Sequence, residues 1–153
     1  MNEIERKFLV KTSLFQVSGH SLLMRQGYLS VDPTRVVRVR VEGEQAWLTI
    51  KGKMEGITRP EWEYDIPVSE ALEMLKLSIY APIEKIRHRL QIGNQLWEVD
   101  EFLGQNSGLW LAEIELNDEN EPFDTPDWLG EEVTHDRRYY NSQLSQNPWS
   151  KWK

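Results

Sequence analysis

The stretch EIERKFLV, residues 3–10, determines how the rest of the chain is interpreted. Its alternating pattern predicts a β-strand, because successive side chains of a strand point to opposite faces of the sheet. On this strand Glu3, Glu5 and Lys7 share one face, whereas Ile4 lies on the other. A row of two carboxylates and one ammonium group therefore faces whatever lies on that side of the sheet.

The alternation of side-chain character every second residue recurs along most of the chain. Seven further segments show a similar alternation, and short turn signals such as DPT, EGEQ and GQNSG separate them. Short connections of this kind predict hairpins, and hence a largely antiparallel sheet or barrel. The eight predicted strands are 3–10, 22–31, 35–42, 46–52, 61–66, 84–90, 96–102 and 111–116.

Two segments depart from this period and are predicted to be helices. Residues 67–80 carry apolar side chains at helical spacing, and Ser69 is the expected N-cap. A second helix is predicted over residues 134–146, with Thr134 or Asp136 as its cap.

The chain is predicted to form one domain over residues 1–146. No internal repeat or linker divides it, and the proline-containing segment 117–128 is expected to be a loop. The remaining tail, residues 147–153, is polar apart from Trp149 and Trp152, and we expect it to be poorly ordered.

The composition narrows the class of protein. A chain of 153 residues, 39% of them hydrophobic, suits one compact domain. The net charge of −7 and the pI of about 5.0 argue against non-specific binding of nucleic acid, which requires a basic face. The absence of cysteine excludes disulfides, thiolate zinc sites and cysteine nucleophiles. No secretory signal or membrane-spanning run is recognisable, so we expect a soluble, cytoplasmic protein with no nucleic-acid or membrane partner.

Charged side chains of the same sign recur two residues apart on the predicted strands. Such neighbours lie about 7 Å apart and repel each other, so they gain nothing on a free surface. For any single strand a solvated face is a sufficient explanation, but the recurrence favours a barrel whose charged faces point inward. Its basic patch would contain Arg38, Arg40, Lys51, Lys85 and Arg87, with Arg59 and Arg89 as further candidates, and its acidic patch Glu3, Glu5, Glu61, Glu63, Glu98, Asp100, Glu113 and Glu115.

A cavity with both patches fits a polyphosphate held together with Mg²⁺ or Mn²⁺. Arginine binds phosphate oxygens in pairs and lysine acts as a point charge. Carboxylate oxygens are the ligands that hard divalent cations prefer.

The chain resembles the CYTH superfamily of triphosphate tunnel metalloenzymes in a series of motifs that follow the order of that family. The first, EIERKF, carries the ExExK signature, and it is followed by VRVRV, LTIK, EWEYDI, EKIR, WEVD, AEIEL and GEEVTHDRRYYN. The likeness extends from residue 2 to about residue 144 and is greatest to short, single-domain bacterial members. It implies an α+β, mainly β fold: a closed, eight-stranded antiparallel β-barrel with a charged lumen and a few flanking helices.

The resemblance also implies roles for individual residues. The implied metal ligands are Glu3, Glu5, Glu113 and Glu115. The implied phosphate-binding residues are Lys7, Arg38, Arg40, Lys51, Lys85, Arg87 and Arg138. The implied catalytic residues are Glu61, Glu63, Glu98 and Asp100, which would support a second metal or orient the attacking water, together with Lys85.

The function implied is metal-dependent hydrolysis of a linear triphosphate, with inorganic tripolyphosphate as the favoured substrate. A class IV-type adenylate cyclase and a thiamine triphosphatase are the enzymatic alternatives on the same fold. A polyphosphate-binding module without catalysis is the alternative from another class, although the intact pairs of glutamates argue against it. The sequence leaves open whether the protein is a monomer or a homodimer.

Overall fold

The computed structural model describes residues 1–152 of the chain. None of the helices within these residues is long and apolar enough to cross a membrane.

The described chain folds around one antiparallel sheet that closes on itself. Its strands are β1 Asn2–Val10, β2 His20–Ser30, β3 Val36–Glu42, β4 Gln45–Lys51, β5 Thr58–Ile66, β6 Ile83–Ile92, β7 Gln95–Phe102, β8 Trp110–Glu115 and β9 Leu129–Glu132. Hydrogen-bonded neighbours follow the order β5-β4-β3-β2-β6-β7-β8-β1-β9, and an additional pairing between β5 and β1 closes the barrel. The predicted eight-stranded antiparallel barrel is therefore confirmed.

The seam between β1 and β5 is short. Asn2 lies opposite Pro60, and Ile4 lies opposite Thr58. Beyond this point β1 pairs instead with β9, a strand that the sequence did not predict. The fifth strand also begins three residues earlier than predicted, and it includes Pro60, whose carbonyl accepts a hydrogen bond from the Gly52 N–H (3.0 Å).

The first helix, α1, is shorter than predicted. It covers Val68–Leu75, and its N-cap is Pro67, which makes no side-chain capping bond, so the predicted cap at Ser69 is wrong. The Ser78 hydroxyl donates to the Leu75 carbonyl (2.7 Å), which satisfies an acceptor at the helix end.

The second helix is also shorter than predicted, because the chain turns before it. A 3₁₀ turn at Arg137–Tyr139 precedes α2, which covers Asn141–Gln146. Asp136 caps the 3₁₀ turn by accepting a hydrogen bond from the Arg138 N–H (3.1 Å).

The apolar faces of the strands point outward and are covered on several sides. Ala71 and Leu75 of α1 pack on Val39 and Val41 of β3. A second apolar cluster surrounds Trp97, which is fully buried. Burial of a large apolar side chain stabilises the fold by roughly 1.5–3 kcal/mol. These outer clusters leave the charged faces of the strands for the lumen.

The C-terminal segment packs against the barrel, where the sequence predicted a poorly ordered tail. The rings of Trp149 and Trp152 lie 4.9 Å apart, and Trp152 lies 5.0 Å from Tyr139. The Trp149 N–H donates to the Asn106 side chain (2.8 Å). Lys153, the last residue of the predicted tail, lies outside the described residues.

Candidate active site

The charged strand faces line a cavity of about 220 Å³ inside the barrel. This tunnel cavity brings together thirteen of the fifteen residues that the sequence assigns to the site. They are Glu3, Glu5, Lys7, Arg38, Arg40, Lys51, Glu61, Glu63, Lys85, Arg87, Glu98, Glu113 and Glu115. The predicted charged lumen is therefore confirmed, and the two exceptions are Asp100 and Arg138.

The basic wall of the cavity contains two adjacent arginines of β3. Arg38 donates to the Thr49 hydroxyl (3.3 Å) and lies 3.6 Å from Glu63. Within the described residues Arg40 has no ion-pair partner, and the Nε atoms of both arginines are buried without a hydrogen-bond acceptor. Burial, followed by the charges of Arg38 and Arg87, lowers the pKa of Arg40 to about 10. A buried N–H group without an acceptor is costly in the free protein, and on two neighbouring arginines it points to an anionic ligand.

Behind this wall a buried carboxylate holds two cations in place. Asp100 accepts two hydrogen bonds from Arg87 (2.8 and 2.9 Å), and its Oδ2 lies 2.8 Å from the Lys85 Nζ. Burial alone would raise the pKa of Asp100, but the adjacent Arg87 and Lys85 hold it well below its usual range. Asp100 does not line the cavity, because it lies behind the cations that do.

Lys85 is a buried lysine at the border of the cavity. Its Nζ donates to the Asn141 side-chain oxygen (2.9 Å) as well as contacting Asp100. Burial lowers the pKa of Lys85 to about 7, and the nearby Arg87 acts in the same direction, whereas Asp100 opposes the shift. This side chain can therefore gain or lose its charge near neutral pH.

The acidic wall is formed where β1 pairs with β8. Glu5 lies opposite Glu115, and Lys7 lies opposite Glu113. The pKa of Glu5 is raised well above its usual value by burial, then by the charges of Glu113 and Glu3. Burial alone would raise the pKa of Glu113, but Lys7 and a hydrogen bond with Glu5 lower it to about 2. Of the two neighbouring carboxyl groups, Glu5 therefore keeps its proton to the higher pH.

Glu3 lies in a different environment on the same wall. Lys51 donates a hydrogen bond to Glu3 (2.9 Å) and lies 3.7 Å from Glu61. Burial would raise the pKa of Glu3, but Lys51 lowers it. The pKa of Glu115 is raised by burial, then by Glu3 and Glu61. The wall thus contains carboxylates in excess of the cations that neutralise them.

These carboxylates suit a divalent cation that takes its other ligands from water and substrate, rather than a metal site formed by protein side chains alone. Among residues 1–152, no group of three or more acidic or histidine side chains has convergent metal-binding geometry. Mg²⁺ is commonly held by one or two carboxylates, with water and substrate phosphates as its other ligands. Glu5 and Glu113, neighbouring carboxyl groups whose pKa values are shifted in opposite directions, could supply such a partial ligand set.

The C-terminal segment supplies residues that the sequence analysis did not identify. Thr134, Tyr140, Asn141 and Ser142 line the cavity. The Asn141 side-chain oxygen accepts hydrogen bonds from Lys85 (2.9 Å) and from a buried glutamine of β2, Gln26 (2.8 Å). The motif GEEVTHDRRYYN could have identified most of these residues from the sequence, because it contains Thr134, Tyr140 and Asn141.

The same motif led to Arg138, which the structure does not bring to the cavity. Its guanidinium donates to Asp136 (2.6 Å) and lies 4.9 Å from the centre of the Trp152 ring. The capped 3₁₀ turn aims this side chain outward, and 62% of it is exposed. The prediction that Arg138 contacts phosphate is therefore not supported by its position.

An ion-pair bridge joins β6 to β3 beside the cavity. Arg89 of β6 donates two hydrogen bonds to Glu42 of β3 (2.8 and 2.9 Å) and lies 3.3 Å from Glu98. Neither Arg89 nor Glu42 lines the cavity. Arg89, a candidate for the basic patch, is thus neutralised by acidic neighbours instead of facing a ligand.

A model of the CYTH domain family matches residues 1–146. Among relatives of curated name, an inorganic triphosphatase of Acetivibrio thermocellus is 50% identical over 152 residues, which cover 99% of this chain and 97% of that protein. An inorganic triphosphatase of Nitrosomonas europaea is 37% identical over 149 residues, covering 95% of this chain and 97% of that protein.

Solved structures show the same fold. The crystal structure of an inorganic triphosphatase is 36% identical to this chain, with a TM-score of 0.66 over 93% of this chain and 96% of that one. A conserved hypothetical protein of Pyrococcus furiosus shares the fold with a TM-score of 0.60 at 21% identity, over 77% of this chain and 80% of that one.

Proposed function

The chain belongs to the CYTH domain family, and we propose that it is an inorganic triphosphatase that hydrolyses tripolyphosphate to pyrophosphate and phosphate with the help of Mg²⁺ or Mn²⁺. Two relatives named inorganic triphosphatase, each matched over nearly the full length of both chains, support this assignment. The proposed partner is a small-molecule triphosphate, and the proposed location is the cytoplasm.

The observation that carries the proposal is the unsatisfied basic wall. Arg38 and Arg40 place buried Nε atoms without acceptors beside Arg87 and Lys85. Repulsion among these cations destabilises the free protein, and the negative oxygens of a triphosphate would relieve it. An Arg-lined, partly desolvated cavity also stabilises the charge that develops during phosphoryl transfer more strongly than water does.

The proposed metal ligands come from the acidic wall. Glu5 and Glu115 face each other across the β1–β8 ladder, with Glu3 and Glu113 beside them. A divalent cation bound there would polarise phosphate oxygens and neutralise part of their charge. Any proton that Glu5, with its raised pKa, still carries would be released when the cation binds, because the ligand form of a carboxyl group is the deprotonated one.

The side chains around the substrate would mainly orient it and balance its charge. Lys7, Lys51 and Lys85 each place an ammonium group at the cavity, and Arg87 is held rigid by Asp100. The remaining acidic groups would accept hydrogen bonds from the attacking water and orient it; they are Glu61, Glu63 and Glu98. Asp100 acts through Arg87 and Lys85, so we propose it as a positioning residue.

A comparison of substrates tests the proposed function. The purified protein is incubated with tripolyphosphate, ATP and thiamine triphosphate, each with Mg²⁺ or Mn²⁺ and with a chelator control. We expect the fastest metal-dependent phosphate release from tripolyphosphate. Formation of cyclic AMP from ATP, faster turnover of thiamine triphosphate, or tight binding of tripolyphosphate without turnover would each overturn the assignment.

A further inference from the structure

Two neutral amide side chains connect α2 to the buried Lys85. Asn141 is the first residue of α2, and its side-chain oxygen accepts one hydrogen bond from the Lys85 Nζ (2.9 Å) and one from the Gln26 Nε2 (2.8 Å). Gln26 lies on β2 and is fully buried. Because an amide carries no charge, the way each one is turned must follow from the groups that it contacts.

The orientation of both amides follows from the positive charge of Lys85. An ammonium group offers only N–H donors, so it requires the oxygen of Asn141. That oxygen has two lone pairs, and the second one accepts from the Gln26 nitrogen. The Gln26 Oε1 is then turned away and is buried without a donor. Within residues 1–152 the Asn141 Nδ2 donates to no protein group, which leaves it for the tunnel cavity that Asn141 lines.

The same two amides also fit a neutral Lys85. An uncharged amine accepts a hydrogen bond through its lone pair, and an amide nitrogen has two N–H groups to donate. When both amides turn by 180°, Asn141 donates one N–H to Lys85 and the other to the oxygen of Gln26. The two ends of an amide are nearly alike in shape, so this turn needs no change in packing. The Tyr28 hydroxyl, 3.4 Å from the Gln26 Nε2, suits both arrangements because it either accepts or donates.

Lys85 is placed to lose its charge. It shares the Asp100 carboxylate with Arg87, so these three buried groups carry one positive charge in excess. Burial disfavours this excess, and the lysine is the cation that can release a proton to solvent, because arginine stays charged. The other charged groups near Lys85 lie on β3 and β8, Arg40 and Glu113 respectively. In agreement, burial lowers the pKa of Lys85 to about 7.

We propose that Asn141 and Gln26 form a reversible amide relay, in which Asn141 presents an N–H group to the tunnel when Lys85 is charged and its carbonyl oxygen when Lys85 is neutral. An N–H group attracts phosphate oxygens, whereas a carbonyl oxygen repels them. Loss of the Lys85 proton therefore removes two favourable contacts with an anion at once. Only this last step rests on the proposed function, in which a triphosphate occupies the tunnel. Gln26 acts through Asn141 and is a positioning residue.

The relay is tested by NMR on the protein without metal or substrate. The pH titration of Lys85 is followed together with the side-chain N–H signals of the glutamines and asparagines. We expect the signals of Asn141 and Gln26 to shift with the midpoint of Lys85, because each amide exchanges its partners when the lysine loses its charge. Gln146, which lies on the same helix but contacts Tyr80 (3.5 Å), is the internal control and should not follow that midpoint.

Two variants separate the relay from a direct effect of the lysine charge. In Asn141→Leu no hydrogen bond is passed on, so the Gln26 signal should lose most of its pH dependence while Lys85 still titrates. In Asn141→Asp the carboxylate only accepts, so the midpoint of Lys85 should rise by about one pH unit or more. The matched control, Gln146→Glu, adds the same charge to the same helix away from Lys85 and should leave the midpoint unchanged.

Activity provides a second readout. Where Lys85 is charged, kcat/KM for tripolyphosphate should fall about tenfold in Asn141→Leu, as expected for the loss of one hydrogen bond to a charged group. Where Lys85 is neutral, the variant and the unmodified protein should converge, because the relay then offers the substrate no donor. An equal loss at both pH values would overturn the role of Asn141 towards the substrate.

The possible results separate this inference from the proposed function. The relay is overturned if the Asn141 and Gln26 signals stay constant while Lys85 titrates, or if Gln26 shifts equally in Asn141→Leu. Both measurements are made without substrate, so neither depends on hydrolysis. If the unmodified protein does not hydrolyse tripolyphosphate, the proposed function fails, and the NMR titration alone decides on the relay.

Discussion

Arg87 and Asp100 form a buried two-bond ion pair, with the Nε–Oδ1 and Nη2–Oδ2 distances at 2.8 and 2.9 Å. Arg87 lines the tunnel cavity, whereas Asp100 lies behind it and also contacts Lys85. One carboxylate therefore fixes two cations that face the proposed substrate. Asp100 determines where positive charge is presented without contacting the ligand itself.

We predict that Asp100→Asn lowers the free energy of unfolding by about 3–5 kcal/mol, because it leaves two buried cations without their counter-charge. Chemical denaturation at neutral pH measures this change. Glu98→Gln is the matched control: Glu98 also pairs with Arg87 (3.2 Å) but is 27% exposed, so its loss should cost about 1 kcal/mol or less. Equal effects of the two substitutions would contradict the buried role of Asp100.

The pH dependence of stability gives a second test of the same carboxylate. The pKa of Asp100 is depressed in the folded protein, so its contribution is fully present above its unfolded pKa, near 3.8, and is lost as the pH falls below that value. The difference in unfolding free energy between the unmodified protein and Asp100→Asn should therefore shrink in acid. A difference that stays constant while the pH falls through and below 3.8 would show that the fold does not lower the pKa of Asp100.

The Arg40 side chain should lower the stability of the ligand-free protein and be necessary for activity. Its Nε atom is buried without an acceptor, and the side chain lies close to the charges of Arg38 and Arg87. We predict that Arg40→Gln leaves the unfolding free energy unchanged or raises it by about 1 kcal/mol, while kcat/KM for tripolyphosphate falls about a hundredfold. Thermal unfolding and phosphate release measure the two effects. A strongly destabilised variant would mean that Arg40 has a structural partner.

Loss of the charge on Lys85 should weaken substrate capture as the pH rises. Because its pKa is lowered to about 7 by burial and by Arg87, the side chain loses its charge as the pH rises through that value. We predict that kcat/KM falls above about pH 7, since this ratio reports groups of the free enzyme. In Lys85→Arg the cation persists, and that decrease should be absent. An identical profile in both proteins would assign the decrease to another group or to the substrate.

Glu5 should destabilise the metal-free protein. Its pKa is raised by burial, Glu113 and Glu3, so the cost of ionising it in the fold grows as the pH rises above its usual value near 4.5. We predict that Glu5→Gln raises the melting temperature in chelator, while addition of Mg²⁺ stabilises the unmodified protein more than the variant. Equal stabilisation of both proteins by Mg²⁺ would place the cation away from Glu5.

The barrel and its charged lumen could be predicted because both follow from one local property, the alternation of faces along a strand. Glu3 and Glu115 lie far apart in the sequence, yet each was assigned to the lumen from its own strand alone. The resemblance of motifs then supplied the ligand class.

The errors lie where tertiary contacts decide the geometry. Asp100 was placed in the cavity by alternation, but two longer cationic side chains extend in front of it. Arg138 was assigned from a motif in a predicted helix, and the 3₁₀ turn capped by Asp136 aims it at Trp152 instead.

The most direct test of the central claim is phosphate release from tripolyphosphate by the unmodified protein and by Glu5→Gln, with Mg²⁺, with Mn²⁺ and with excess chelator. We predict rapid release that requires the metal, and a loss of about a hundredfold or more in the variant, since a bound cation contributes several kcal/mol to such a reaction. Release that persists in chelator, or a variant as fast as the unmodified protein, would contradict metal-dependent hydrolysis at this site.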